Sequence, residues 1–197
     1  MPSSTPTPTP TPTTTLAPVP VKPTLADLVA TTQGLGPLAV GAAPPVTDPA
    51  LDVLVFDPVG CPPSEGPVPG IWVTSYPDVP DPFGKSRPPF QVAVDPSGNV
   101  SRIDVWSPQI KTDRGVVVGS SRDIVTSAYP DAELTEFENR SSVFTVRGTT
   151  GKLSIEVLNR PGDPLTERVV SIRVDRPTGP SYAISNTDNI ISPCSFR

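Results

Sequence analysis

Histidine is absent from all 197 residues. That excludes Ser-His-Asp and Cys-His nucleophilic mechanisms, His-ligated zinc or iron, and the usual general base near neutral pH. Lysine is scarce: the four are Lys22, Lys85, Lys111 and Lys152. They are scattered, the net charge is −5, and no basic cluster forms, so no nucleic-acid partner is expected. None of the four sits in the Ser-x-x-Lys spacing of serine-lysine acyl-transfer enzymes. No apolar run approaches the roughly 18 residues of a membrane helix. The chain does not open on the charged and apolar regions of a secretory signal. Met1 is followed at once by Pro2-Ser3-Ser4, and the expectation is a chain beginning downstream of a removed signal, with Met1 an expression start.

Cysteine is nearly absent. Cys61 and Cys194 stand far apart and in no CxxC pattern. In an exported chain an even, low count reads as one disulfide, and closing so long a loop would stabilise by about 4–5 kcal/mol in the chain-entropy model. Two free thiols in a cytosolic protein are the alternative. No cofactor motif and no metal-ligand set is expected.

What the chain has in excess is proline, 30 residues unevenly spread. Residues 1–24 are a Ser/Thr/Pro tract with Thr-Pro alternation from Thr5 to Pro12. Such a tract buries too little apolar surface to fold and favours extended polyproline II, so it is expected to be a disordered, stiff linker. Its composition suits O-glycosylation on exported proteins. It resembles the linker after the lipid-modified cysteine of bacterial lipoproteins, which implies a membrane link only through an anchor that the sequence does not contain.

Residues 25–197 read as one globular domain. Around Gly119 the sequence predicts a buried strand at Val116-Val117-Val118, a glycine corner, and a helix capped by Ser120, with Asp123 in its first turn. Ile124, Val125, Ala128 and Tyr129 share one helical stripe, and Pro130 ends it. A weaker copy occurs at Leu38-Ala39-Val40-Gly41, followed by a short helix begun by Thr47 or Asp48 and Pro49, with residues 52–57 equally open to a strand. Further strands are expected at residues 71–76, 90–94, 100–106, 133–138, 143–147, 152–158, 168–174 and 182–184. Asp95-Pro96-Ser97-Gly98-Asn99 is a hairpin turn rather than a calcium loop. The alternation in residues 100–105 and 170–174 suggests a sheet with one wet face.

The expected fold class is therefore α+β. An antiparallel sheet is built from two tandem strand–helix–strands units, residues 25–107 and 108–176, followed by a C-terminal segment 177–197. Leu38-Ala39-Val40-Gly41-Ala42-Ala43 and Gly115-Val116-Val117-Val118-Gly119-Ser120-Ser121-Arg122-Asp123-Ile124-Val125 resemble the corner-and-helix units of the β-lactamase-inhibitory-protein fold and related bacterial envelope lipoprotein modules. In those families a Met often follows the corner glycine; here Ala42 and Ser120 do. The resemblance implies a sheet that binds another protein, without catalysis.

Candidate partner-binding residues are the aromatics Trp72, Tyr76, Phe83 and Trp106, with core packing as their alternative. The proline-stiffened loop 77–89 adds Asp81, Lys85 and Arg87. No catalytic residue is expected. A carboxylate enzyme using two of Asp52, Asp57, Asp78 and Asp81 is a minor reading, since no spacing demands it. The function expected is an exported, surface-tethered, non-catalytic binding module of the bacterial envelope, whose partner is another protein or an envelope component. The alternatives are an inhibitor of a secreted hydrolase, acting through loop 77–89, and a passive structural envelope domain. Asn99-Val100-Ser101 and Asn139-Arg140-Ser141 match the glycosylation triplet, which matters only in a eukaryotic secretory route.

Overall fold

The computed structural model describes residues 21–45, 52–58 and 71–178. Residues 1–20, both cysteines, and the strand expected at 182–184 lie outside the described residues.

The chain enters through a 3-10 turn, Leu25–Asp27. Asp27 accepts from the Thr24 backbone N–H at 2.8 Å and from its hydroxyl at 2.6 Å. Those bonds hold the Asp27 carboxyl below its ordinary range. Strands β1 (Val29–Thr31), β2 (Gly34–Leu35) and β3 (Leu38–Ala39) then form a tight meander. Strand β4 (Leu54–Asp57) pairs with β5 (Ile71–Thr74). The short β6 (Val79–Pro80) pairs with β7 (Ser86–Arg87). Strands β8 (Phe90–Val94) and β9 (Val100–Val105) form the expected hairpin around the Asp95–Asn99 turn. Asp95 fixes that turn by accepting from the backbone N–H groups of Ser97 and Asn99. Strand β10 (Lys111–Thr112) adds to the meander in parallel with β1. Helix α1 (Arg122–Ala128) follows, then β11 (Glu133–Phe137), β12 (Ser141–Arg147), β13 (Lys152–Leu158) and β14 (Val169–Asp175).

The main sheet has the order β11-β12-β13-β14-β9-β8 and is antiparallel throughout. One face carries Phe90, Ile103, Val105, Leu153, Ile155, Ile172 and Val174, all buried. It packs with Leu28, Leu35, Leu38, Val116, Val125 and Tyr129 in one core cluster.

The architecture corrects the α+β expectation. The described chain is nearly all β, with one seven-residue α-helix, and its strands do not form two strand–helix–strands units. Strands β8 and β9, from the first supposed unit, lie in one sheet with β11 to β14 of the second, whose β10 joins the meander of the first. The strand expected at Val116-Val117-Val118 is not one: Val116 and Val118 are buried in a turn, and Val117 makes only an isolated bridge to Lys111. Burial, not strand pairing, accounts for that β-branched run. The helix favoured around 49–55 is contradicted at its end by β4, where the apolar run is too short for its period to decide.

The two glycine corners are real. Gly41 and Gly119 have φ of +87° and +95°, which side chains rarely adopt. Each corner straps a main-sheet strand. Gly41 N–H donates to Val100 O at 2.7 Å while Val100 N–H donates to Ala42 O at 2.8 Å. Gly119 N–H donates to Val169 O at 2.8 Å while Val169 N–H donates to Ser120 O at 2.8 Å. The α1 N-cap is Ser121 rather than Ser120, whose hydroxyl accepts from Val117 N–H at 3.0 Å instead. The helix ends at Pro130 as its sequence dictates, with Tyr129 buried and Ile124 exposed.

The opposite sheet face is polar, as the alternation predicts, but it is not wet. Asp104 and Glu156 are fully buried, as are Lys152 and Arg173 nearly so. Arg173 on β14 donates to Asp104 on β9 through Nε at 2.7 Å, and Arg102 reaches the same carboxylate through Nη2 at 2.6 Å. Ser171 donates to Glu156 across β14 and β13 at 2.9 Å. Lys152 Nζ lies 3.7 Å from Asp175.

Candidate functional site

Strands β4 and β5 extend the core face beyond the edge of the main sheet. Leu54, at the inner end of β4, is buried. Two residues on, Phe56 sits opposite Trp72, with ring centroids 5.2 Å apart. Phe56 is 44% exposed and its neighbour Val55 42%. Tyr76, just past β5, meets the buried Phe90 edge-on at 6.1 Å. Between β5 and β8 the sheet is not hydrogen-bonded, and a cleft of about 190 Å³ opens there. Trp72, Thr74, Tyr76, Asp78, Phe90 and Gln91 are among the residues that line it.

Tyr76 is anchored by the chain's own entry segment. Its hydroxyl donates to Pro23 O at 2.6 Å, and Lys22 Nζ stands 4.4 Å above its ring centroid. Lys22 also donates to Ser75 O at 3.0 Å. Burial pushes the Tyr76 phenol above its ordinary pKa, and the negative charge of Asp27 adds to the shift.

Loop 77–89 is held from within. Asp81 is buried, and its Oδ1 accepts from the backbone N–H groups of Phe83 at 2.9 Å and Lys85 at 2.8 Å. Its Oδ2 lies 2.8 Å from Arg87 Nη2. The Arg87 guanidinium stacks 4.4 Å over the Trp106 ring, which is itself fully buried. Asp81, Arg87 and Trp106 thus form one brace, with Phe83 and Lys85 exposed at the loop tip.

The seven candidate contact residues therefore separate. Trp72 and Tyr76 come together at the cleft. Asp81, Arg87 and Trp106 are internal supports of the loop. Phe83 and Lys85 project from it. Of the four carboxylates weighed for catalysis, the cleft takes Asp78, while Asp81 is engaged by Arg87. Sequence reasoning missed Phe56 and Gln91. A strand reading of residues 52–57 would have placed Phe56 opposite Trp72. Sequence reasoning also counted residues 22–24 as tail, although Lys22 and Pro23 contact the domain. Among the described residues, no group of His, Cys, Asp and Glu side chains is arranged to hold a metal ion, and no helix is long and apolar enough to cross a membrane.

The site defines a β-rich domain that carries an aromatic cleft at the open end of its core face. No family model matches the chain, and no curated protein does. Among solved structures it is similar to the uncharacterized protein yfeY from Escherichia coli, at 21% identity and a TM-score of 0.41, over 75% of this chain and 99% of that one. At that level the similarity assigns neither fold nor function.

Proposed function

We propose that this protein is an exported, non-catalytic binding module, carried on its Thr/Pro-rich tail at the bacterial cell envelope, that captures another protein or an envelope component through the Phe56–Trp72 edge and the adjoining cleft. The observation that carries this reading is the Phe56–Trp72 pair at the end of the core face, with Phe56 44% exposed and Trp72 half-buried against the core. Aromatic rings that stay half-exposed beside a concavity are the groups that dominate binding energy in protein interfaces. The lack of histidine supports a binding role over an acid–base one. The test is a benzophenone side chain placed at position 56, with a second placed at the exposed position 124 on α1 as control. Photolysis in envelope extract is expected to give a discrete adduct from position 56 and none from 124. Equal labelling from both positions would remove the basis for the reading.

A second reading, inhibition of a secreted hydrolase, is favoured by the brace of Asp81, Arg87 and Trp106. It holds the Phe83–Lys85 tip out from the surface at low ordering cost, as an inhibitory loop requires. Exchanging both tip residues for Ala would abolish such inhibition and leave the position-56 adduct intact. A passive structural role in the envelope predicts neither result.

A further inference from the structure

Both faces of the main sheet are dry, and the described elements account for one of them. The meander and α1 pack on the core face. On the other face, Thr145, Ser154, Arg173 and Asp104 form one cross-strand row, and none is more than 3% exposed. Glu156 and Ser171, in the next row, are fully buried. Val143 and Leu158 are buried on the same side, outside the core cluster. Asp, Glu and Arg side chains keep contact with water on an open sheet face. A layer able to partner polar groups therefore lies over these rows. Among the described residues, loop 77–89 meets this side at one corner, where Arg87 stacks on Trp106.

The chain leaves the sheet toward this side. Arg147 follows Val146, which packs against the core, so the Arg147 side chain stands on the opposite face. Its Nη1 donates at 3.1 Å to the carbonyl of Pro177, two residues past the end of β14. Arg147 belongs to β12, two strands away from β14. The chain after β14 thus turns back over the polar face, with residues 179–197 still to follow. Rows on one face are two residues apart, about 7 Å. From the row of Lys152 and Asp175 to that of Leu158 is three rows, roughly 20 Å, or about six extended residues. Counted from Pro177, that distance ends within Tyr182-Ala183-Ile184, an apolar triplet, where Val143 and Leu158 offer apolar side chains. Ser185-Asn186-Thr187-Asp188-Asn189 has the composition of a turn, and Ile190-Ile191 suits a return pass.

The other segments outside the described residues fit this face less well. Residues 59–70 are tied at both ends to β4 and β5 and extend at most about 20 Å from them. Thr145 on β12 lies five strand spacings from β5, about 24 Å. Residues 46–51 are fewer still. Residues 1–20 enter beside Tyr76 and carry no charged side chain, whereas residues 179–197 bring Asp188, Arg197 and several Ser and Asn side chains to a face of mixed charge.

We infer that residues 179–197 fold back over the polar face of the main sheet as its cover, with Tyr182, Ala183 and Ile184 seated on Val143 and Leu158. The chain's own end is then a third layer, and the broad polar face of the sheet is closed to any partner. Recognition is left to edges and loops, as at Phe56 and Trp72. The inference stands whether or not that edge binds.

The test replaces Tyr182 in the full chain by benzoylphenylalanine, which keeps an aromatic ring at that position. Photolysis in dilute solution, followed by peptide mapping, is expected to give an adduct within one chain, on Val143, Glu156 or Leu158. An adduct to the meander or to α1, one that joins two chains, or none at all overturns the inference. If the labelled variant misfolds by circular dichroism, a pair of substitutions decides. Ile184→Asp places a charge under the proposed layer and is expected to lower the urea midpoint by roughly 1 M. Ile124→Asp, at a position 50% exposed on α1, should shift it by less than about 0.3 M. Equal midpoints for the two variants overturn the inference.

Discussion

Asp81 and Arg87 have the composition of a binding loop and the geometry of a support. A sequence scan sees charges among prolines and assigns them to a surface. The fold turns the Asp81 carboxylate onto two N–H groups of its own loop and onto Arg87, which Trp106 carries. Asp81→Ala removes all of these and leaves a half-buried guanidinium unmatched. It is expected to cost about 2–4 kcal/mol in chemical denaturation. Asp81→Asn keeps an acceptor for the N–H groups and should cost less. Asp175 offers a test by pH. Burial pushes its carboxyl up to about 6, and Asp104 adds to the shift, while Lys152, Arg173 and Arg102 oppose it. The folded form thus holds this proton more tightly than the unfolded chain, whose carboxyl titrates near its usual value of about 3.9. The stabilising contribution is complete below the unfolded value and is lost as pH rises through about 6. Denaturation midpoints of Asp175→Asn are expected to fall less than those of the parent chain across that window.

Hairpins and the helix stop were legible because local rules govern them. The β8–β9 turn contains Pro, Gly, Asp and Asn at positions that only a turn satisfies, and Pro130 ends α1. Strands β11 to β14 were legible from their residue pattern and the turns between them, whereas β10 was not expected and residues 116–118 do not form the strand expected of them. The polar brace and the open cleft were not legible, because both depend on which strands lie side by side, and no local period encodes that. Two glycines separate the local from the long-range contribution. Gly119 has a positive φ and open space around it, so Gly119→Ala should cost only the backbone strain, about 1–2 kcal/mol. At Gly34 an added Cβ would stand 1.8 Å from the Leu38 carbonyl oxygen. The β2–β3 meander must move to admit it, and Gly34→Ala is expected to cost about 3 kcal/mol. Urea midpoints of the two variants, with unchanged slopes, check the ranking.

At the scale of the whole molecule, the proposed Cys61–Cys194 disulfide would join the chain's first third to its end. If it forms, thiol titration of the denatured protein finds no free cysteine before reduction and two after it. Reduction is then expected to remove about 4 kcal/mol of stability. Full reactivity before reduction would remove the bond from the account. The centre of the main sheet adds a constraint that does not depend on that bond. Strand β9 is flanked by β8, its immediate predecessor, and by β14, and Arg173 meets Asp104 across 69 positions of sequence. Refolding is expected to be slow for the chain's size, because that loop must close before its contacts repay the entropy. Whenever the polypeptide emerges amino-end first, the β8–β9 hairpin waits with a naked border until residues 169–175 arrive. During that interval, which lasts until nearly nine-tenths of the chain is out, its edge is open to any passing strand.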